Sequence, residues 1–141
     1  MKEARAIPAS GKALFDLTGQ VAVITGGAGL LGTQHAAAIA EAGGHVVLVD
    51  LAGDAAVRSA EEITRAFGVE AVGVRADITV KGDVEAMVGA VVERFNRIDI
   101  LINNAALTVK GGSVRAKEYF APFEEYPLDL WEQALRVNLT G

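Results

Sequence analysis

Short apolar segments alternate four times with longer segments of helical character, and this alternation limits the possible folds more than any other feature of the chain. The apolar segments are rich in β-branched residues and occupy residues 21–24, 45–49, 71–74 and 98–102. The intervening segments predict helices over residues 30–42, 55–67 and 82–95. A strand that is followed by a helix rejoins the sheet by crossing one of its faces, which favours parallel pairing with right-handed crossovers. The sequence therefore predicts an α/β fold, a doubly wound parallel sheet of four strands with flanking helices.

The segments outside this unit are less regular. Residues 1–14 mix small, charged and turn-forming residues without a period, which predicts a flexible leader. After the fourth strand, a long connection leads to a helix that begins near Leu128 and includes Trp131, Leu135 and Leu139. No further strand follows before Gly141, so we expect the sheet to be truncated before its later strands.

A glycine-rich turn joins the first predicted strand to the first helix. Residues 25–32 have the sequence Thr-Gly-Gly-Ala-Gly-Leu-Leu-Gly. Gly26 allows a sharp turn, Gly29 leaves room for a pyrophosphate, and Gly32 lets the helix approach the sheet. The N-terminus of that helix would offer amide donors to the phosphates. This context favours a Rossmann-type dinucleotide-binding domain over residues 15–141, rather than a tight turn without a ligand. In a Rossmann-type sheet the four strands are expected in the order 3-2-1-4.

Asp50 follows the second strand, 18 positions after Gly32. An acidic residue at this place accepts hydrogen bonds from the adenosine ribose hydroxyls, and its charge repels a 2′-phosphate. Gly27, Ala28 and Leu51 are not basic and could not pair with such a phosphate. The sequence therefore predicts NAD as the cofactor in preference to NADP. The alternative is that Asp50 is an ordinary turn residue at the end of a strand.

Composition excludes several other functions. The chain has 13 basic and 18 acidic residues, a net charge of −5, and no stripe of Lys and Arg, so nucleic acid is not an expected partner. There is no cysteine and only two histidines, so we expect no metal site. The N-terminus has charged residues without an apolar segment behind them, and there is no run of 18 apolar residues. We therefore expect no membrane partner and a cytoplasmic location.

Four segments, in this order, resemble the motifs of the short-chain dehydrogenase/reductase family. They are Thr25-Gly26 with Gly32, Asp77-Ile78, Asn103-Asn104-Ala105-Ala106, and Val137-Asn138-Leu139-Thr140-Gly141. The resemblance covers residues 15–141. It implies an NAD-dependent oxidoreductase that acts on a small secondary alcohol or ketone, with a sugar derivative as one candidate. A truncated sheet would expose an unpaired strand edge and apolar helix faces, which proteins cover by pairing with another chain, so we also expect a homo-oligomer.

The resemblance implies a role for each matching residue. Asp77 would bond the adenine amino group, with Ile78 packed nearby. Asn103 would tie the central strands together through its side-chain amide, and Asn138 would be catalytic by holding a water in a proton relay. Two simpler roles stay open, since Asp77 could cap the following helix and Asn138 could be a satisfied polar residue within a helix. The implied cofactor-binding residues are Thr25, Gly26, Gly29, Leu30, Leu31, Gly32, Asp50, Leu51, Asp77, Ile78, Asn104, Ala105 and Ala106.

The chain departs from the family pattern in the glycine turn. The commonest form of the motif has glycine at the place of Leu30, whereas this chain has Gly29. That spacing is similar to the epimerase-like branch of the family, although the other motifs resemble the dehydrogenase-like branch. A sugar epimerase or dehydratase that uses NAD is therefore an alternative function.

A second departure concerns catalysis. The family's catalytic serine and its Tyr-x-x-x-Lys pair lie downstream of the Asn138 segment, where this sequence ends. Tyr119 and Tyr126 offer no substitute, since Phe123 and Leu130 stand four residues after them. The chain is therefore predicted to be the cofactor-binding half of an oxidoreductase and inactive alone. A non-catalytic nucleotide-binding or oligomerising module is the other alternative.

Overall fold

The computed structural model describes residues 14–107, 115 and 117–141, and its centre is a parallel sheet. The strands are β1 (Val21–Thr25), β2 (His45–Asp50), β3 (Ala71–Arg75) and β4 (Ile100–Ile102). Their order is β3-β2-β1-β4 and every pairing is parallel, which confirms the predicted topology. Because Thr25 pairs with Val49, the ends of β1 and β2 are level at the carboxyl edge. Apart from Leu14, the predicted leader lies outside the described residues.

Three helices connect the strands and a fourth follows them. They are α1 (Leu30–Glu41), α2 (Gly53–Phe67), α3 (Lys81–Phe95) and α4 (Leu128–Leu135), which continues into a π-helical turn at Arg136–Thr140. Helix α2 begins at Gly53 rather than at Ala55 as predicted, because the amides of Ala55 and Ala56 both donate to the carbonyl of Ala52. Gly68 and Asn96 end α2 and α3 in the left-handed conformation.

The core has two layers, one on each face of the sheet. Both central strands are fully buried apart from the two ends of β2. Alternate residues such as Ile24 and Leu48 contact α1 and α2, while those between them, such as Val47, pack with Met87 and Val91 of α3. Full burial of each such side chain contributes about 1.5–3 kcal/mol to stability. The helices thereby fix the carboxyl ends of β1 and β2 firmly.

Gly73 in β3 allows the closest approach of a helix to the sheet. A Cβ atom added to Gly73 would lie 2.3 Å from the backbone nitrogen of Val57 and 2.4 Å from the carbonyl carbon of Ala56. Backbone therefore rests on backbone where α2 crosses β3. The sequence analysis did not identify this contact, since an isolated glycine in a strand does not reveal which element lies over it.

The fourth strand is shorter than the predicted range 98–102, and Asp99 explains the difference. Its amide donates to the carbonyl of Val21 at 2.9 Å, and its Oδ2 accepts the amide of Val21 at 2.8 Å. Arg97 donates to both carboxylate oxygens and, with the amide of Val21, holds the pKa of Asp99 below its usual value. The carboxylate of Asp99 thus accepts the amide of Val21 in place of the backbone carbonyl that a longer β4 would offer. Within the described residues β4 pairs only with β1.

Candidate functional site

The glycine turn, residues 25–32, lies at the carboxyl edge of the sheet and is packed tightly on every side but one. A Cβ on Gly32 would lie 2.2 Å from the carbonyl oxygen of Gly26, and a Cβ on Gly27 would lie 2.7 Å from the Cα of Leu48. Gly26 has a φ of +62°, and a Cβ there would lie 2.9 Å from the Cα of Ala105. Gly29 is the most open of these positions, with 3.2 Å to the Gly26 oxygen. The need for glycine at Gly27 was not recognised from the sequence.

The N-terminus of α1 presents amide groups that no side chain caps. Gly29 is the N-cap residue, and the first helical hydrogen bond runs from the amide of Thr33 to its carbonyl at 3.0 Å. The amides of Leu30, Leu31 and Gly32 belong to the first turn, where helices lack internal acceptors. The side chains of Leu30 and Leu31 are exposed at the start of this helix. Uncapped first-turn amides together with the helix dipole form a site suited to an anion.

Thr25 and Asn104 join the glycine turn to the end of β4. The buried hydroxyl of Thr25 accepts the amides of Asn104 and Ala105 at 3.1 and 3.0 Å. The side-chain amide of Asn104 donates to the carbonyls of Thr25 and Gly26 at 2.9 and 3.2 Å. This is the strand-tying role that the sequence analysis assigned to Asn103, whose side chain is exposed. The assignment was wrong by one residue, and Ala106 beside these residues is exposed as well.

Asp50 lies beside the glycine turn with both carboxylate oxygens engaged. Oδ2 accepts the amide of Ala28 at 3.1 Å, and Oδ1 accepts the amide of Ala52 at 3.0 Å. The amide of Gly27 donates to the carbonyl of Val49 at 3.0 Å, which continues the pairing of β1 with β2 into the turn. Leu51 is 62% exposed next to the carboxylate. Asp50 is therefore held at the place where a bound ribose is expected.

A groove of about 540 Å³ opens next to Asp50, between the start of α2 and the end of β3. Its lining includes Leu51, Asp54 and two arginines, Arg58 and Arg75. These arginines were not predicted from the sequence, because neither is adjacent along the chain to Asp50 or to the glycine turn. Arg75 is the register partner of Asp50 in the sheet, and Arg58 is brought there by α2. The groove combines positive charge with an apolar wall.

Asp77 holds the turn that follows β3. Its Oδ1 accepts the amide and the hydroxyl of Thr79 at 2.9 and 2.7 Å. These two bonds, the hydroxyl first, hold the pKa of Asp77 below its usual value. The carboxylate does not cap α3, whose N-cap residue Val80 has no side-chain cap; the amide of Asp77 instead donates to Asp83 of that helix at 3.0 Å. Neighbouring Ile78 lies close to the end of the chain, since a Cβ on Gly141 would be 3.0 Å from its Cδ1.

Asn138 lies in the π-helical turn at the end of α4 and contacts the segment that follows β4. Its Oδ1 accepts the amide of Leu107 at 2.7 Å, and its Nδ2 donates to the carbonyl of Leu107 at 3.2 Å. Both polar groups of the side chain are thus used by one backbone unit. Single π-helical turns are frequent at functional sites, since they change which carbonyl groups a helix leaves free. The structure therefore brings Asn138 to the same edge as Asn104.

The long connection before α4 is described only in part. Residues 108–114 and 116 lie outside the described ranges, while 117–126 contain two short 3₁₀ turns with exposed Phe120 and Phe123. Arg115 bonds Glu118 and Asp129, each at 2.6 Å, and so ties this segment to α4. These carboxylates raise the pKa of Arg115, so the guanidinium stays charged.

Metal binding and membrane insertion can be considered for the described residues. Within the described ranges, there is no group of three or more His, Cys, Asp or Glu side chains that could hold a metal ion. None of the helices seen in that part of the chain has the length and apolar character needed to cross a membrane.

Comparison with known proteins identifies relatives over nearly the whole chain. The model of the short chain dehydrogenase family matches residues 20–141. An uncharacterized oxidoreductase of Thermotoga maritima is 38% identical over 125 residues, which are 89% of this chain and 44% of that protein. The chain therefore spans less than half the length of this relative.

Solved structures give the same result. The NADPH-dependent 3-quinuclidinone reductase from Rhodotorula rubra superposes with a TM-score of 0.82 at 32% identity, over 99% of this chain and 49% of that one. An NAD⁺-bound xylitol dehydrogenase has a TM-score of 0.77 at 31% identity, over 88% of this chain and 44% of that one. The two similar structures are named for different nicotinamide cofactors.

Proposed function

The chain belongs to the short-chain dehydrogenase family, and we propose that it is the NAD-binding half of an oxidoreductase that acts on a secondary alcohol or ketone. The observation that carries this proposal is the arrangement at the carboxyl edge, where Asp50 stands next to the uncapped N-terminus of α1. NAD, when bound, supplies the hydride acceptor, and the chain's own residues bind and orient it. The Ser and Tyr-x-x-x-Lys of the family are not among these 141 residues, so we expect no turnover by this chain alone.

Each part of the cofactor has candidate partners in the proposed complex. The amides at the start of α1 would bind the pyrophosphate, with Leu30 and Leu31 beside it. Asp77 has one carboxylate oxygen bonded to Thr79, which leaves its other oxygen for the adenine amino group, with Ile78 nearby. The other proposed cofactor contacts also lie at the carboxyl edge of the sheet. They are Thr25, Gly26, Gly29, Gly32, Leu51, Asn104, Ala105 and Ala106.

Asn138 is the residue of this half that the family resemblance connects with catalysis, and we propose that it acts as a positioning residue. Because its amide oxygen and nitrogen are both bonded to Leu107, the side chain would position the backbone rather than meet a water. A water of the proton relay would then be held by a main-chain carbonyl of the π-helical turn. The contact between Asn138 and Leu107 would keep that carbonyl at a constant distance from the carboxyl edge of the sheet, where the cofactor would bind.

The proposed substrate is a secondary alcohol or ketone, with a sugar derivative as the candidate. A sugar derivative or polyol is supported by the likeness to a xylitol dehydrogenase, and a substrate-side position is proposed for the connection that carries Phe120 and Phe123.

We predict that the chain binds NADH more tightly than NADPH, and that Asp50→Ala narrows the difference. The carboxylate would bond the ribose hydroxyls and repel a 2′-phosphate, and each effect contributes on the order of tenfold in affinity. Arg58 and Arg75 line the neighbouring groove and are positive charges with which a 2′-phosphate could pair once the carboxylate is removed. Fluorescence titration of both cofactors measures the ratio. Glu62→Ala is the control, since Glu62 is an exposed carboxylate of α2 that lies outside the groove, and it should leave the ratio unchanged. Equal titration curves for the two cofactors on the unaltered chain would refute the assignment of Asp50.

A second candidate is a nucleotide-binding module that works by association with other copies. It is favoured by the exposed apolar residues of β4, of α4 and of the π-helical turn after α4, with Leu101 58%, Trp131 52% and Leu139 77% exposed. We predict that the chain elutes as a dimer or larger, and that Leu101→Lys on the unpaired strand edge shifts it toward monomer. Light scattering after size exclusion gives the mass. A monomeric unaltered chain would exclude the oligomerising module.

A further inference from the structure

We propose that Asp50 is also a positioning residue, whose carboxylate latches the glycine turn to the end of β2. The side chain that would recognise the ribose would then set the backbone that binds the pyrophosphate. The nucleotide side of this inference rests on the proposed function, whereas the latch itself is a property of the chain without cofactor.

The latch consists of two hydrogen bonds to the carboxylate of Asp50, and a backbone hydrogen bond lies beside them. Ala28 donates its amide to Oδ2 of Asp50 at 3.1 Å, and Ala52 donates its amide to Oδ1 at 3.0 Å. Next to them, the amide of Gly27 donates to the carbonyl of Val49 at 3.0 Å. One carboxylate thus bridges the turn after β1 and the loop after β2. The Ala28 contact spans 22 positions of sequence, so it is a tertiary contact and not a feature of local turn geometry.

The latch determines which amides of the turn are available to a ligand. The amide of Gly27 is bonded to Val49, that of Ala28 to Asp50, and that of Gly29 to the carbonyl of Gly26 at 3.1 Å. The donors left for an anion therefore begin at Leu30, in the first turn of α1. Without the carboxylate, the amide of Ala28 would lose its acceptor and the turn could reorient.

The remaining acceptor capacity of Asp50 matches a ribose. Each carboxylate oxygen has two lone-pair positions, and each accepts one backbone amide in this structure. One position per oxygen is left, so the two adenosine ribose hydroxyls could bind without breaking the latch. An asparagine has one acceptor oxygen and an NH₂ donor, and the donor would face one of the two amides. Asp50→Asn should therefore release an amide even though its shape is the same.

Hydrogen exchange on the chain without cofactor tests the latch directly. In Asp50→Ala we expect the amides of Ala28 and Ala52 to exchange on the order of tenfold faster than in the unaltered chain. In Asp50→Asn at least one of the two should do so. Asp54→Asn is the matched control, and the amide of Val47 in the buried centre of β2 reports on global unfolding. Faster exchange at Ala28 with an unchanged Val47 supports the latch, because loss of overall stability would accelerate both.

The result separates the latch from the proposed function. Unchanged exchange at Ala28 in both Asp50 variants would overturn the latch, whatever the cofactor titrations show. A lost NADH preference together with unchanged Ala28 exchange would leave Asp50 as a ribose ligand only. Faster Ala28 exchange in a chain that binds neither cofactor would support the latch and contradict the proposed function.

Discussion

Gly32→Ala is expected to weaken NADH binding by more than about 100-fold, equivalent to about 2.7 kcal/mol. The added Cβ would lie 2.2 Å from the carbonyl oxygen of Gly26 and 2.8 Å from the Cα of Gly27. Both are backbone atoms of the glycine turn, so no side-chain rotation relieves the contact and the turn must move away from α1. The amides at the start of α1 then no longer lie next to the glycine turn, so the proposed pyrophosphate site is lost.

Gly89→Ala is the control for this experiment. Gly89 lies within α3 and an added Cβ would meet nothing within 4 Å, so the substitution should raise stability by about 0.5–1 kcal/mol through helix propensity. NADH binding should not change. Fluorescence titration gives the affinity, and circular dichroism confirms that both variants are folded. If Gly32→Ala bound NADH within threefold of the unaltered chain, the glycine turn could not be the phosphate site.

The fold was predictable because its signal is periodic and local. Each predicted strand and helix has its counterpart in the structure, and the order β3-β2-β1-β4 was expected from the alternation and from the glycine turn. The errors lie at element ends. Asp99 shortens β4 by bonding Val21, and Ala52 starts α2 early by accepting two amides. Both effects depend on a single hydrogen-bonding group, to which a hydrophobic pattern is insensitive.

The candidate site was predictable in its motifs but not in its contacts. Asn103 and Asn104 are adjacent, and only the register of β4 against β1 determines that Asn104 reaches Thr25. Arg75 lies in the groove because β3 pairs with β2 in a register that places Arg75 opposite Asp50. The spacing of residues in the sequence does not reveal that register. The same is true of the bond from Ala28 to Asp50. The residue types and their order thus identified the carboxyl edge of the sheet as the candidate site. The hydrogen-bond and register partners at that edge could be assigned only from the three-dimensional pairing of the strands.

Gly73→Ala should produce the largest loss of stability, about 3 kcal/mol, with a decrease in Tm of roughly 10 °C. The new Cβ would lie 2.3 Å from the nitrogen of Val57 and 2.4 Å from the carbonyl carbon of Ala56, so α2 must shift away from β3 as a unit. Thermal and urea unfolding followed by circular dichroism measure the loss. Gly82→Ala is the control, because a Cβ in that first turn of α3 meets nothing within 4 Å and the Tm should not fall.

The same variant tests whether the groove beside Asp50 contributes to cofactor recognition. Arg58 is carried by α2 and Arg75 by β3, so a displaced α2 changes the distance between the two arginines. The glycine turn rests on β2 and β4 instead, through Asp50 and Asn104, and should keep its shape. Below its Tm, Gly73→Ala should therefore bind NADH with nearly unchanged affinity. For NADPH the relevant comparison is made in the Asp50→Ala background. There, adding Gly73→Ala should lower the NADPH affinity below that of Asp50→Ala alone. If Asp50→Ala and the double variant bound NADPH with equal affinity, Arg58 and Arg75 would not contact the 2′-phosphate. If Gly73→Ala left the Tm unchanged, the close packing of α2 on β3 would be contradicted.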